Sequence, residues 1–228
     1  MKPLTLGIPS KGRLMEATEE RFRKSGLTIA RGRSDRLYRG SLDGVDGIDV
    51  AFLSASEIAG SLKDGRIDLG VTGEDLLGET LAPDDPRVSV ALRLGFGPAN
   101  VVVAVPEAWL DVASMSDLDE VSEGFYARHG RRLRVATKYT KLTRRFFAEK
   151  GVTGYRIVES LGATEGAPAA GTAEIIVDIT TTGSTLAANH LKILDDGTIL
   201  KSQAVLAVTA QCAGDERVKT LVRKLADG

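Results

Sequence analysis

The residues best suited to chemistry lie in one stretch, Ile175-Ile176-Val177-Asp178-Ile179-Thr180-Thr181-Thr182-Gly183-Ser184-Thr185-Leu186. An apolar run of strand type ends in one carboxylate, Asp178. Thr180, Thr181, Thr182, Gly183, Ser184 and Thr185 follow at once, where a helix is expected to begin. A phosphate monoester needs convergent donors and close backbone approach. Hydroxyls, glycine and the open N–H groups of a helix start supply both without a permanent cation. The nearby carboxylate suits a ribose diol. The same residues would equally make an ordinary capped strand-to-helix turn.

A second candidate is Pro9-Ser10-Lys11-Gly12-Arg13-Leu14, where two cations flank a glycine at a strand exit. In open α/β sheets ligands lie beyond the carboxyl ends of strands. Lys11 and Arg13 could there hold a polyphosphate by charge-assisted hydrogen bonds, or form a solvated basic turn. The segment is not a P-loop: Gly7 and Gly12 have the spacing, but Arg13-Leu14 replaces the Lys-Ser/Thr pair and Gly7 falls inside the strand. A third strand exit, Asp68-Leu69-Gly70-Val71-Thr72-Gly73-Glu74-Asp75, offers backbone donors near Gly73, while Glu74 and Asp75 suit a helix dipole. Lys138, in Thr137-Lys138-Tyr139, occupies a fourth.

Other chemistries fail on context. Gly95-Phe96-Gly97 runs into a strand rather than a helix, so it is no dinucleotide fingerprint. The single cysteine, Cys212, excludes an internal disulfide and a Cys-rich zinc site. His129 and His190 are too few for a His-rich metal centre, and neither reads as a catalytic base. Lys and Arg total 30 against 31 Asp and Glu, a balance unlike that of a protein that coats nucleic acid. The opening residues, Met1–Leu14, carry an apolar stretch too short and too interrupted for a signal segment, and no long apolar run follows. The expectation is a cytoplasmic protein with no nucleic-acid and no membrane partner.

Positioning these residues requires alternating strands and helices. Strands are expected at Leu4–Ile8, Val50–Leu53, Ile67–Thr72, Val88–Leu94, Val101–Val105, Leu133–Ala136, Tyr155–Val158, Ile175–Asp178 and Val205–Thr209. Helices are expected at Arg13–Lys24, Ser54–Lys63, Glu74–Leu81, Ser116–His129, Leu142–Glu149 and Glu216–Leu225. Such alternation predicts an α/β fold with mixed, largely parallel sheets. Asp196-Gly197 between Leu191–Leu194 and Ile199–Leu200 reads as a hairpin with a type I′ turn. The chain of 228 residues suits two lobes facing each other across a cleft. The expected division is 1–96 plus 184–228 for a discontinuous first lobe and 97–183 for a second carrying the hydroxyl loop.

Together these pieces resemble the short form of ATP phosphoribosyltransferase. The stretches carrying the resemblance are Pro9–Leu14, Asp68–Leu76, Leu94–Gly97, Arg134–Tyr139, Leu142–Phe147, Glu165–Pro168 and Ile176–Leu186. The order and spacing of the last two are the specific part. The chain departs from the family pattern at Ser54 and Asn100, where an arginine is common, and carries a longer helical insert around Asp117–Arg132.

The resemblance implies two periplasmic-binding-protein-like lobes with the active site between them. It implies transfer of phosphoribose from phosphoribosyl pyrophosphate to N1 of the adenine of ATP, with substrate-bound Mg²⁺ and release of pyrophosphate, opening histidine biosynthesis. Carried over by position, Thr180–Thr185 would hold the 5-phosphate, and Asp178 and Glu165 the ribose hydroxyls. Lys11 and Arg13 would neutralise the pyrophosphate and the ATP phosphates, with Gly12, Gly73 and Lys138 lining the substrates. Expected partners are a second copy and a regulatory subunit resembling histidyl-tRNA synthetase. On the residues alone, a non-catalytic two-lobed ligand sensor, or transfer of the same ribose to a free base, would also fit.

Overall fold

The computed structural model describes residues 2–31 and 39–228. In chain order they form β1 (Leu4–Pro9), α1 (Gly12–Lys24), β2 (Thr28–Arg31), β3 (Arg39–Asp43), β4 (Ile48–Leu53), α2 (Ala55–Lys63), β5 (Leu69–Gly73), α3 (Glu74–Thr80) and β6 (Val88–Arg93). There follow β7 (Asn100–Pro106), α4 (Met115–His129), β8 (Leu133–Thr137), α5 (Thr140–Glu149), β9 (Tyr155–Glu159), a 3₁₀ turn (Thr164–Gly166), β10 (Ile175–Thr180), α6 (Ser184–Ala188), β11 (Leu191–Leu200), β12 (Ala204–Thr209) and α7 (Glu216–Asp227). The pair β2 and β3 was not expected from the sequence. β3 carries Gly40 and Ser41 between charged ends, a composition with little strand signal.

Two compact units emerge, 1–98 with 203–228, and 99–202. The chain thus returns to the first unit at 203, not at 184 as expected. The reason is β11, which pairs antiparallel with β7 and so keeps residues 191–200 in the second unit. The expected hairpin inside that segment does not form. Gly197 is absent from the positive-φ glycines that a type I′ turn needs. Its backbone instead lies so close to its surroundings that a Cβ would stand 2.8 Å from Leu194 Cβ and 3.2 Å from the Val103 carbonyl. Asp196 beside it is committed elsewhere: Met115 N–H donates to its Oδ1 (2.8 Å) and Lys150 Nζ to its Oδ2 (2.7 Å). The strand absorbs these residues as register shifts rather than reversing direction.

In the first unit the sheet order is β2-β3-β4-β1-β5-β12-β6. Parallel pairing is confined to β4, β1 and β5; the other neighbours are antiparallel. The sheet is more mixed than expected, because β12 enters from the far end of the chain. Alternate residues of β12 serve opposite faces. Ala204, Leu206 and Val208 join Leu6, Ile8, Phe22, Leu221 and Leu225 on the face of α1 and α7. Val205 and Ala207 join Ile58, Leu62 and Leu77 on the face of α2 and α3. That two-residue period is the reason this run reads as apolar throughout. A Cβ on Gly7 would come within 2.7 Å of Ile67, and one on Gly70 within 2.4 Å of Ile58. Both glycines let α2 settle directly onto β1 and β5.

In the second unit the order is β11-β7-β10-β8-β9. β8 runs parallel to β9 and β10, whereas β7 is antiparallel to β10 and β11. One face buries Val102, Ala104, Ala136, Ile176, Leu186 and Leu191 together. Leu118 of α4, Phe147 of α5, Val101, Val103, Val135 and Val177 are likewise fully or nearly fully buried.

Candidate active site

In the first unit, parallel pairing brings the carboxyl ends of β1, β4 and β5 to one edge. Lys11 is the extended N-cap of α1, Gly12 opens that helix at φ +76°, and Arg13 follows. Lys11 and Arg13 are exposed, and neither pairs with a carboxylate among the described residues. Two unpaired cations at a strand exit make a surface ready for an anion. At the next exit Gly73 caps α3 in extended geometry. Glu74 is taken up by Arg93 (2.8 Å), and Asp75 is buried in the first turn. At the third, Ser54 forms a capping box with Glu57: its hydroxyl accepts from Glu57 N–H, and the Glu57 carboxylate accepts from Ser54 N–H. Ser54, the position at which the resemblance implies an arginine, is a helix cap here.

The second unit collects the remaining candidates at the carboxyl ends of β8, β9 and β10. Ile175 and Ile176 pair with Val135 and Ala136. Continuing that register brings Asp178 level with Lys138, the first residue past β8. The 3₁₀ turn carrying Glu165 packs against β10. Burial pushes the half-buried Asp178 carboxyl above its ordinary range and the Glu165 charge pushes the same way. An N–H bond from Ile179 (2.8 Å) and the Lys138 ammonium oppose it. Asp178, Glu165 and Lys138 thus share one electrostatic environment. Lys138 lies exposed over the Tyr139 ring, 5.1 Å from its centroid, and Tyr139 N–H is anchored on the buried Thr137 hydroxyl (2.9 Å).

The hydroxyl loop follows β10. Gly183 adopts φ +76° and its N–H donates to Thr180 Oγ1 at 2.8 Å. Thr182 and Ser184 hydroxyls lie 2.9 Å apart. Thr181, Thr182, Ser184 and Thr185 are exposed. The helix expected to open here, α6, is only five residues long. Anion-binding capacity therefore rests on the loop's own N–H and O–H groups more than on a helix dipole.

Asn100, noted in the sequence only as a departure from the family pattern, opens β7 and pairs directly with Thr180 at the loop's entry. Only strand register reveals that. Gln203 is a residue the sequence reading passed over: its side chain accepts from Gly95 N–H at 3.0 Å and ties down the Gly95–Gly97 turn. Cys212 is buried, and its thiol, raised by burial, donates to the Asp68 carbonyl. The His129 ring packs on Phe125, 4.2 Å between centroids. Among the described residues no helix is long and apolar enough to cross a membrane.

Comparison with known proteins bears on the fold and the family. A substrate-binding protein of an amino-acid ABC transporter superposes with a TM-score of 0.52 over 98% of this chain and 92% of its own, at 11% identity, which speaks to the fold alone. The fold is thus the periplasmic-binding-protein-like one expected. The ATP phosphoribosyl transferase (HisG:HisZ) complex from Thermotoga maritima contains a chain with a TM-score of 0.70 and 26% identity, covering 99% of this chain and 100% of that one. An ATP phosphoribosyltransferase of Mesorhizobium japonicum is 59% identical over 227 residues, 98% of either chain. The sequence profile "HisG: ATP phosphoribosyltransferase" matches residues 54–227, a span that holds the hydroxyl loop, both carboxylates and Lys138. With fold, profile and full-length identity in agreement, the chain belongs to the ATP phosphoribosyltransferase family.

Proposed function

We propose that this protein transfers the phosphoribosyl group of phosphoribosyl pyrophosphate to N1 of the adenine of ATP, releasing pyrophosphate and forming phosphoribosyl-ATP, the first step of histidine biosynthesis. The observation that carries the reading is 59% identity over 227 residues with an ATP phosphoribosyltransferase, together with the matching family profile.

The residues fit the demands of that reaction. Adenine N1 has a free lone pair at neutral pH, so no strong base is required. The barrier lies in the departure of a highly charged group from a ribose gaining cationic character, which positioning and electrostatics lower. Thr180–Thr185 with Gly183 hold the 5-phosphate through hydroxyls and backbone N–H groups. Asp178 and Glu165 take the ribose hydroxyls, and their negative charge faces the developing cation. Lys11 and Arg13, unpaired and exposed, neutralise pyrophosphate, with Gly12 leaving open space for close approach and Gly73 lining the nucleotide side. Lys138 balances the two carboxylates and contacts substrate phosphate.

Mg²⁺ fits as an ion carried by the substrate. It favours oxygen donors and retains waters, and the described residues contain no cluster of three or more metal-type side chains to cage it. When bound, it neutralises charge on the pyrophosphate. A hetero-oligomer with a HisZ-like subunit follows from the Thermotoga maritima complex; a second copy of this chain and a cytoplasmic setting complete the proposal.

The test is to incubate the protein with Mg²⁺, ATP and phosphoribosyl pyrophosphate, alone and with a HisZ-like subunit, and to follow phosphoribosyl-ATP by absorbance. Product formation supports the reading. Transfer to a free base with none to ATP would replace it by another ribosyl transfer. Substrate binding without product under either condition would leave a ligand sensor.

A further inference from the structure

A second concave site lies wholly within 99–202, apart from the residues assigned above. The turn after β7 and one side of α4 border an open groove of about 520 Å³, whose lining includes Trp109, Leu110, Val121 and Phe125 together with Asp111, Arg128 and His129. That volume is within the range of small-molecule sites. The turn is held by its own backbone: Trp109 N–H donates to the Pro106 carbonyl (2.9 Å) and Val112 N–H to that of Trp109 (3.1 Å). Lys192 Nζ reaches the Leu110 carbonyl at 3.4 Å. Phe125 is clamped between the His129 ring, 4.2 Å away, and the Arg131 guanidinium, 4.8 Å from its centroid.

Three features of this groove ask for a ligand. Leu110 is 82% exposed at its lip, an apolar side chain with no cover. Asp111 and Arg128 are both exposed and, among the described residues, neither has an ion-pair partner, although Arg131 close by is paired with Glu174. They line one groove without reaching each other. An apolar, ring-rich floor between an unpaired anion and an unpaired cation complements a molecule with an aromatic body and both charges.

We propose that this groove binds a zwitterionic aromatic amino acid, with its ring against Trp109 and Leu110, its carboxylate on Arg128 and its ammonium on Asp111. Arg128 suits a carboxylate because its planar fork can donate two parallel hydrogen bonds. Aromatic faces favour a ring over a branched aliphatic chain. The α4 insert set apart in the sequence supplies Val121, Phe125 and Arg128, so the extra helix has a use of its own, independent of phosphoribosyl transfer.

Trp109 is the chain's only tryptophan, so its emission reports this groove directly. L-phenylalanine titrated into the intact protein, with excitation where only tryptophan absorbs, is expected to give a saturable change. Phenylacetate and 2-phenylethylamine, each lacking one charge, should bind about tenfold more weakly, as should L-phenylalanine to Arg128→Leu and Asp111→Asn. Both altered side chains are exposed, and far-UV circular dichroism with an unchanged Tm confirms folding. The proposal is overturned by an emission unmoved by L-phenylalanine, or by equal affinity for the three compounds. It is also overturned by wild-type affinity in both variants. An emission change that follows protein concentration instead would mark a contact between copies and overturn it too.

Discussion

Replacing Gly183 by alanine separates what the hydroxyl loop does with its backbone from what it does with its side chains. Gly183 sits at φ +76° and ψ −7°. The left-handed region costs an L-residue about 1–2 kcal/mol. The added methyl would meet nothing closer than Ile193 Cδ1 at 3.9 Å, an ordinary contact, so the cost is conformational and not steric. Alanine also stiffens the unfolded chain, which returns about 0.4–1 kcal/mol. The net loss should be about 1 kcal/mol, or about 2–4 °C in Tm for a chain of this size. If the loop escapes the strain by moving to negative φ, Gly183 N–H leaves Thr180 Oγ1, now at 2.8 Å, and the donor array disperses. The KM for phosphoribosyl pyrophosphate should then rise about five- to tenfold, the equivalent of about 1–1.4 kcal/mol, with a smaller fall in kcat. Asparagine tolerates the left-handed region better than alanine, so Gly183→Asn should fall between the two in both measurements. Steady-state kinetics and thermal melts of the three proteins decide it. Alanine matching glycine in Tm and KM, or asparagine worse than alanine, would refute a backbone role.

Asp178→Asn should lower kcat by about 100-fold, through misplacement of the ribose, while leaving stability at neutral pH equal to or above that of wild type. Burial raises the folded-state Asp178 pKa, so ionisation penalises the folded chain; any gain in the variant should vanish as pH falls and wild-type Asp178 protonates. Glu174 behaves oppositely: burial alone would raise its carboxyl, but hydrogen bonds from Arg134 and Arg131 hold it at about 2 against an ordinary 4.5. Its stabilisation is present above pH 4.5 and lost as pH falls toward 2. Glu174→Gln should cost about 2 kcal/mol at pH 7 by urea unfolding, allowing for the exposed Arg131, and should flatten that acid limb. Lys11→Ala and Arg13→Ala should each weaken pyrophosphate inhibition several-fold with little change in Tm, since both side chains are exposed; unchanged inhibition in both would move the pyrophosphate site elsewhere.

Much of this protein could be read from local chemistry. Strand runs such as Val101–Val105 and Ile175–Val177 were legible because a core strand buried on both faces is apolar at successive positions. The turn from Thr180 to Thr185 was legible as a break in the chain because short hydroxyl residues and a glycine favour strand-to-helix turns. Helix α2 was expected over Ser54–Lys63, and the structure adds that a capping box between Ser54 and Glu57 closes its start.

What the sequence left open depends on partners distant along the chain. β12 completes the first sheet from beyond residue 203, and β11 stays with the second because it pairs with β7, nearly a hundred residues upstream. Asp196-Gly197 has turn composition, but its turn lost to two contacts from other elements, Met115 and Lys150, and to the close approach of Val103. The grouping of Asp178 with Lys138 and Glu165 likewise required register between β8 and β10. Propensity, capping and patterning act over a few residues, so they are written in order along the chain. Pairing, register and the assignment of residues to one unit or the other are set by which distant surfaces bury each other best, and only the folded chain makes that choice.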